Sequence, residues 1–274
     1  MSHVPFSRLL QQVALLARDA GDAILMVYGQ DFEIQRKVDQ SPVTAADLAA
    51  QRVITAGLAA LEGGLPVISE EARAAPWPER REWQRYWLVD PLDGTREFIK
   101  RNGEFTVNIA LIENHEPVLG VVLAPVTGEL YAAARGQGAW LQSKADASWQ
   151  RIASRDLQQP ATVAGSRSHG GSGTALLEQL IGDGYQSMPL GSSLKFCLVA
   201  RGDADVYLRR GATSEWDTAA AQSVLEEAGG AVLDLAGEPL RYNRGDSLIN
   251  PEFIAVGDNV VDWKARLLAA DLET

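Results

Sequence analysis

Apolar residues recur every three or four positions over residues 6–28 and again over residues 45–61. This spacing places one apolar stripe along a helix, so each segment is predicted to be an amphipathic helix, with Gly29 ending the first one. Between them, residues 31–39 alternate apolar and polar positions, which predicts a strand or a hairpin arm. Short apolar runs at 66–69 and 86–89 predict two buried strands.

The pattern changes at residue 105. Apolar runs separated by turn residues predict a meander of antiparallel strands as far as residue 141. Farther along, strand-like and helix-like segments alternate, which predicts sheets covered by helices. These segments are strands at 162–165, 185–188, 205–208 and 231–235, and helices at 174–181, 192–201 and 216–228.

The change of pattern also suggests how the chain is organised. We expect an N-terminal α+β subdomain over residues 1–150 and a C-terminal α/β subdomain over residues 151–274, together forming one continuous unit. The chain shows no internal repeat and no long linker. The segment rich in alanine and proline at 71–83 is the best candidate for a mobile loop.

Composition and charge narrow the functions open to this chain. Of its 274 residues, 46% are hydrophobic and 22% are charged, which is typical of a folded protein. The net charge of −11 and the lack of a dense basic run argue against binding of long nucleic acid. No apolar stretch is long enough to span a bilayer, and the first residues do not resemble a signal peptide, so we expect a cytoplasmic protein. One cysteine and three histidines offer little for a zinc site, so a metal would be bound by oxygen.

The stretch WLVDPLDGTREF carries two acids directly after an apolar run. Pro91 cannot donate to a sheet, so the strand is expected to end at Asp90, whose side chain would lie at the edge where α/β sheets bind ligands. Gly94 and Thr95 begin a predicted helical turn whose free N–H groups suit a phosphate. Asp90 and Asp93 would hold Mg²⁺ that bridges to that phosphate. The alternative is a turn in which Asp93 merely caps a helix.

Three other acidic stretches each have a functional and a structural interpretation. ISEEA ends a strand at Glu70, SEWDTAAA places Asp217 in the first turn of a helix, and SPVTAADLAAQ spaces Thr44 and Asp47 three apart. Structurally, Ser69 would be an N-cap, Asp217 would meet the helix dipole, and Thr44 with Asp47 would form a capping box. It is the occurrence of all four acidic stretches in one chain that favours a cation site.

In this order, SPVTAADLAAQ, ISEEA, WLVDPLDGTREF and EWDTAAA resemble the signature motifs of the Mg²⁺-dependent, lithium-sensitive phosphatase superfamily that includes inositol monophosphatase and fructose-1,6-bisphosphatase. The resemblance extends over essentially the whole chain. It implies the inositol monophosphatase (sugar phosphatase) fold, a layered α/β/α/β/α sandwich, with the active site between its two halves. It also implies Mg²⁺ as the cofactor, as two or three ions.

The resemblance assigns roles to individual residues. One Mg²⁺ would be held by Glu70, Asp90 and the carbonyl of Leu92, and a second by Asp90, Asp93 and Asp217. Asp47, with Thr95 nearby, would orient the attacking water and help deprotonate it, and the implied catalytic residues are Asp47, Thr95 and Glu70. The backbone N–H groups of Gly94 and Thr95 would hold the scissile phosphate.

Three stretches resemble more specifically the CysQ-type 3′(2′),5′-bisphosphate nucleotidases, namely GSSLKFCLVARGDADVYLRRG, DPLDGTREFIKRNGEFTVNIALI and GSRSH. This branch implies hydrolysis of 3′-phosphoadenosine 5′-phosphate (PAP) to AMP and phosphate, and also of its phosphosulfate analogue (PAPS), in sulfur assimilation. The implied substrate contacts are Glu70, Leu92, Asp93, Gly94, Thr95, His169, Ser192, Lys195, Arg209 and Asp217.

Several of these contacts have alternatives. Without the resemblance, Lys195 and Arg209 would be interpreted as solvated surface charges and His169 as an ordinary loop residue. Arg210 competes with Arg209 for the same role. Lys100 and Arg101 are another candidate for binding the 5′-phosphate. Two residues depart from the pattern of the branch, Ala212 and Ser214.

Two other functions remain open. One is an inositol-phosphate or sugar-phosphate phosphatase of the same superfamily, and the other is a non-catalytic metal or nucleotide sensor on the same fold. Relatives include monomers and dimers, so both states are open. Some bacterial relatives are assigned to the inner face of the membrane, so peripheral association at its cytoplasmic face is also open.

Overall fold

The computed structural model of the protein describes residues 6–30, 34–36, 42–61, 63–144, 148–165 and 173–270. Its helices are α1 (Arg8–Tyr28), α2 (Ala45–Ala60), α3 (Trp77–Arg80), α4 (Thr95–Ile99), α5 (Thr174–Ile181), α6 (Leu194–Ala200), α7 (Glu215–Glu227) and α8 (Trp263–Ala269). Its strands are β1 (Ile34–Arg36), β2 (Pro42–Thr44), β3 (Val67–Ser69), β4 (Arg85–Asp93), β5 (Thr106–Glu113), β6 (Glu116–Ala124), β7 (Glu129–Ala134), β8 (Ala139–Gln142), β9 (Gln150–Ile152), β10 (Thr162–Gly165), β11 (Gln186–Pro189), β12 (Val206–Arg209), β13 (Ala231–Asp234) and β14 (Phe253–Val256).

Most predicted elements are confirmed within one or two residues of their bounds. Ser7 caps α1 by accepting a hydrogen bond from Leu10, and Gly29 ends that helix as expected. Of the arm predicted at 31–39, only β1 lies in the described residues, where it pairs with β2. The sequence pattern missed β14 and α8, because apolar runs as short as these do not distinguish a strand from a helix or a loop.

The larger sheet contains seven strands in the order β3-β4-β5-β6-β7-β8-β9. Strands β3 and β4 are parallel and all other neighbours are antiparallel, which confirms the predicted meander. Alternate residues of β4 pack into two different hydrophobic cores, one on each face of the sheet. Tyr86 and Leu88 belong to one core, and Trp87 and Val89 belong to the other. Both faces of this sheet are therefore covered.

The smaller sheet contains five strands in the order β11-β10-β12-β14-β13. Strand β10 is parallel to β11 and β12, whereas β14 is antiparallel to β12 and β13. All four residues of β14 are buried, as expected for a strand with neighbours on both sides. The missed strand is therefore a central part of this sheet.

Five layers stack on one another. Helices α1 and α2 pack on the outer face of the larger sheet, α6 and α7 lie between the two sheets, and α5 and α8 pack on the outer face of the smaller sheet. This is the α/β/α/β/α sandwich that the resemblance implies. A Cβ at Gly120 of β6 would lie 2.1 Å from the carbonyl oxygen of Ala220, so a glycine is needed for α7 to approach the larger sheet this closely.

The prediction that β4 ends at Asp90 is wrong, since the strand continues through Pro91 to Asp93. Asp90 lies opposite Asn108 and Asp93 lies opposite Thr106, so three steps along β4 match two steps along β5. This irregularity is a β-bulge, a place where a sheet tolerates a residue without an N–H donor. Pro91 therefore bends the strand and does not terminate it.

The segment 71–83, predicted to be a mobile loop, contains α3 and is anchored at its end. Arg80 is only 2% exposed. Its guanidinium donates to Asn243 Oδ1 at 2.5 Å and to the carbonyls of Gly245, at 2.9 Å, and Asp246. These partners lie far along the chain and could not be recognised from the local sequence, so the prediction of mobility is corrected for this part.

The two sheets follow one another along the chain, and β9 of the larger sheet spans the boundary predicted near residue 150. One hydrophobic core contains residues of both sheets. The division into two subdomains therefore stays a prediction. Among the described helices, none combines the length and the apolar character needed to cross a membrane.

Candidate active site

Three aspartates meet between the sheets. Asp90 and Asp93 come from the end of β4 and Asp217 from the first turn of α7, and one carboxylate oxygen of each lies within 4.8 Å of the other two. Asp90 is buried and the other two are partly buried. Clustered carboxylate oxygens are the ligands that Mg²⁺ and Ca²⁺ prefer, so this set fits a hard divalent cation.

Glu70 joins this group because β3 runs parallel to β4. Its backbone N–H donates to the carbonyl of Val89 at 3.3 Å, which brings the ends of both strands to one edge. Its side chain hydrogen-bonds to Asp90. Burial raises the pKa of Asp47 and of the three clustered aspartates, and the charge of Glu70 raises each of them further. Asp47, Glu70, Asp90, Asp93 and Asp217, to which the resemblance assigns roles in one active site, are therefore close enough for their charges to interact.

Burial disfavours the ionised form of these carboxylates. It raises the pKa of Asp93 to about 6, although Lys195 and the backbone N–H of Ser193 lower it. Burial and then the charges of Glu70, Asp93 and Asp217 raise the pKa of Asp90 well above its ordinary range. A divalent cation would supply the missing positive charge, and its binding would release protons.

Asp47 uses its two oxygens for different purposes. Its Oδ2 accepts from the backbone N–H of Thr44 at 2.8 Å and so completes the capping box of α2. Its Oδ1 accepts from the hydroxyl of Thr95 at 3.3 Å. The structural interpretation of this stretch is therefore correct, and it is compatible with the functional one.

Asp217 is arranged in the same way. Its Oδ2 accepts from the backbone N–H of Ser214 at 2.9 Å in the capping box of α7, while the carboxylate also belongs to the acidic cluster. Ser214, one of the residues that depart from the pattern of the branch, thus has a defined task at the start of α7. Its carbonyl in turn accepts from the side chain of Asn250 at 2.7 Å.

The turn after β4 folds around the carboxylate of Asp90. The N–H of Leu92 donates to Asp90 Oδ1 at 2.9 Å, and the Leu92 side chain is buried. Asp93 does not cap α4, because the N-cap residue is Gly94, whose φ is 99°. A Cβ at Gly94 would lie 3.1 Å from the carbonyl oxygen of Glu104, so both backbone conformation and space favour glycine.

Ser69 does not cap a helix either. Its hydroxyl donates to Gln51 Oε1 at 2.6 Å and so ties the end of β3 to α2. The structural interpretation of ISEEA as a helix start is therefore wrong, since the residues after Ser69 form a turn.

Three residues that the sequence analysis missed hold Asp93 in place. The backbone N–H of Ser193 donates to Asp93 Oδ2 at 2.6 Å, and Thr106 and Asn108 reach the same oxygen at 3.5 Å. The Ser193 hydroxyl also lies 2.8 Å from both Thr106 Oγ1 and Asn108 Oδ1. Thr106 and Asn108 were the available signal, because they are polar, lie two positions apart and so face the same side of the sheet, whereas the rest of β5 is apolar as far as Ile112.

A cavity of about 150 Å³ opens beside the acidic cluster. The predicted site residues that line it are Asp93, Gly94, Ser192, Lys195, Arg209 and Asp217. Aromatic side chains of Phe196, Tyr207 and Phe253 form part of its wall. The cavity therefore combines carboxylates, cationic side chains and flat apolar surface, which suits a ligand with anionic groups and a ring.

Lys195 is not a solvated surface charge, since it is only 5% exposed. Its ammonium donates to the carbonyls of Ser192, at 2.6 Å, and Leu190, at 3.3 Å, and lies 5.1 Å from the ring centre of Tyr207. Burial lowers its pKa to about 8, against the attraction of Asp93. Ser192 has a φ of 49°, which is uncommon for a residue other than glycine.

Arg209 lines the cavity, whereas its neighbour Arg210 donates to Glu252 at 3.3 Å. The guanidinium of Arg209 donates to the carbonyls of Gly211, at 3.1 Å, and Ala212, at 3.2 Å. These contacts hold the loop before α7, so Ala212 contributes through its backbone.

The patch predicted from Lys100 and Arg101 does not reach the cavity. Lys100 Nζ lies 4.0 Å from Glu97, and Arg101 donates to the carbonyls of Tyr28 and Gln30, both at 2.6 Å. Arg101 therefore closes the C-terminal end of α1. His169 and the rest of GSRSH after Gly165 lie outside the described residues.

Comparison with known proteins agrees with this geometry. Residues 7–267 match the model of the inositol monophosphatase family. A protein of Salmonella typhimurium named 3′(2′),5′-bisphosphate nucleotidase CysQ is 52% identical over 89% of this chain and 98% of its own. The protein of the same name from Escherichia coli is 51% identical over the same shares. The crystal structure of CysQ from Bacteroides thetaiotaomicron, 40% identical, superposes with a TM-score of 0.80 over 93% of this chain and 98% of that one.

Proposed function

Because the chain belongs to the inositol monophosphatase family, we propose that it is a Mg²⁺-dependent phosphatase that removes the 3′-phosphate of PAP to give AMP and phosphate. PAPS is the second proposed substrate, which would connect the enzyme with sulfur assimilation. The observation that carries this proposal is the cavity in which Asp93 and Asp217 face the same space as Lys195 and Arg209. The name of the relatives, which are about half identical to this chain, supports it.

The acidic cluster is the proposed cofactor site. Glu70, Asp90 and the carbonyl of Leu92 would hold one Mg²⁺, and Asp90, Asp93 and Asp217 a second; two or three ions are proposed in total. When bound, such ions lower the pKa of the attacking water and stabilise the charge that develops on the departing oxygen. The raised pKa values of the three aspartates support a cationic occupant, since Lys195 near Asp93 and Arg209 near Asp217 do not offset the burial that raises them.

Asp47, Thr95 and Glu70 are the proposed catalytic residues. The Thr95 hydroxyl donates to Asp47, so its own oxygen is free to accept a proton from the attacking water and to pass its proton to Asp47. Burial raises the pKa of Asp47, which makes it a better proton acceptor than an exposed aspartate. The new bond forms between the water oxygen and phosphorus, and the bond between phosphorus and the ribose 3′-oxygen breaks. The electron pair of that bond leaves with the 3′-oxygen, which takes up a proton from solvent water.

The charges in the cavity suit a substrate with two phosphates. The N–H groups of Gly94 and Thr95 are proposed to hold the scissile phosphate beside the acidic cluster. Ser192, Lys195, Arg209 and His169 are proposed to contact the rest of the nucleotide. Two cations in one cavity of a protein with a net charge of −11 would offset the repulsion of so anionic a substrate.

The test is phosphate release from PAP, PAPS, inositol 1-phosphate and fructose 1,6-bisphosphate, with and without Mg²⁺ and Li⁺. We expect PAP to be the best of the four, with no turnover without Mg²⁺. Lys195→Ala should impair PAP far more than inositol 1-phosphate, and Arg210→Ala is the matched control because Arg210 pairs with Glu252. Good hydrolysis of inositol 1-phosphate without hydrolysis of PAP would establish the inositol-phosphatase alternative.

Other parts of the proposal concern the whole chain. Residues 1–150 would supply most metal ligands and residues 151–274 would supply Asp217 and the nucleotide contacts. The proposed location is the cytoplasm, with peripheral association at the cytoplasmic face of the inner membrane as the alternative.

A further inference from the structure

The cavity has a third cation, Arg96, to which no role has been assigned. It lies in the first turn of α4, directly after the turn that ends β4, and it is exposed where it lines the cavity together with Lys195 and Arg209. Among the described residues, its guanidinium makes no hydrogen bond and no ion pair. Arg96 is therefore a charged group at the cavity that is available to a ligand.

The other two cations are partly occupied by the protein itself. Lys195 donates to two backbone carbonyls, and Arg209 donates to two others. A guanidinium has five N–H donors in a planar fork that matches the oxygens of a phosphate, so Arg96 offers the largest number of unused donors. Glu97 also lines the cavity, and Lys100 lies 4.0 Å from its carboxylate, which reduces the repulsion that Glu97 would exert on an anion.

We infer that Arg96 binds the phosphate of the nucleotide that is not hydrolysed, or the phosphosulfate in its place. This inference rests on the proposed function. A substrate with two phosphates on one ribose has one phosphate at the acidic cluster and needs a second anion site within the same cavity. Lys100 and Arg101, which the sequence also suggested for the 5′-phosphate, already have other partners. Lys100 pairs with Glu97, and Arg101 donates to carbonyls at the end of α1.

The experiment compares two nucleotides that differ only in the second phosphate, PAP and adenosine 3′-monophosphate. The ratio of their kcat/KM values is measured with Mg²⁺ for the wild type, Arg96→Ala, Arg96→Lys and Arg210→Ala. We expect Arg96→Ala to lower the ratio about tenfold, through a higher KM for PAP, which corresponds to about 1.4 kcal/mol. Arg96→Lys should recover part of the loss, because it keeps the charge but not the fork.

Arg210→Ala is the matched control. It removes the same charge and the same guanidinium from a side chain that pairs with Glu252 and does not line the cavity, so the ratio should stay within about twofold of the wild type. If the wild type releases no phosphate from PAP, the proposed function itself fails. If the wild type hydrolyses PAP but Arg96→Ala keeps the ratio, or lowers both substrates equally, Arg96 does not bind the second phosphate.

Discussion

Replacing Asp93 by Asn should make the metal-free protein more stable while making it inactive. Burial raises the pKa of Asp93 from its ordinary value of 3.8 to about 6, which corresponds to about 3 kcal/mol of unfavourable free energy at neutral pH. Water in the cavity screens part of this, so we expect a gain of about 1–3 kcal/mol. The amide oxygen of Asn can still accept from Ser193, so the hydrogen bond at 2.6 Å is kept.

The pH dependence of this gain has a definite sign. Between pH 3.8 and about 6 the folded chain keeps a proton on Asp93 that the unfolded chain has lost. The free energy of unfolding of the wild type therefore falls as pH rises through this range, and Asn has no such proton. The advantage of the variant should be absent near pH 4, grow up to about pH 6 and stay constant above it.

Thermal unfolding measures both effects. In EDTA at pH 8, Asp93→Asn should raise Tm by about 2–10 °C, given the size of the chain. Mg²⁺ should raise the Tm of the wild type but not that of the variant, whose kcat should fall by orders of magnitude. Asp183→Asn, at an exposed position after α5, is the control and should change little. The reasoning is refuted if Asp93→Asn unfolds earlier than the wild type in EDTA, or gains as much from Mg²⁺.

Three further outcomes are expected. Asp47→Asn should lower kcat at least 100-fold. Mg²⁺ should still raise the Tm of this variant, because Asp47 is outside the cluster of three aspartates. If Mg²⁺ no longer raises the Tm, Asp47 is a metal ligand. For the wild type, log kcat/KM for PAP should bend downward as pH rises through about 8, because Lys195 loses its proton there. If the bend persists in Lys195→Met, Lys195 is not its source. Arg80→Lys should lower the free energy of unfolding, measured in urea, by about 2–3 kcal/mol, because lysine cannot make the buried hydrogen bonds of the Arg80 guanidinium. The control Arg135→Lys, at an exposed ion pair with Glu116, should lower it by less than about 1 kcal/mol. Equal losses would contradict the role of the buried guanidinium.

Local sequence patterns are enough to predict the regular helices and strands of this fold and to identify the acids of the site. Helices α1 and α2 and the meander show in the periodicity, because burial of one face imposes a period that does not depend on distant residues. Asp90, Asp93 and Asp217 were recognisable because each belongs to a short local motif at the end of a strand or the start of a helix.

Which side chains contact one another depends on how the helices and strands pack in three dimensions. Ser193 lies 100 positions from Asp93 in the chain and yet donates to its carboxylate, and Arg80 is fixed by residues more than 160 positions away. Packing also determines which cationic side chains can contact a ligand. Lys195 is buried at the cavity, Arg101 donates to carbonyls at the end of α1, and Arg96 lines the cavity and is available to a ligand. Hydrogen bonds and pKa values depend on which elements pack against one another, and local sequence carries no record of that packing.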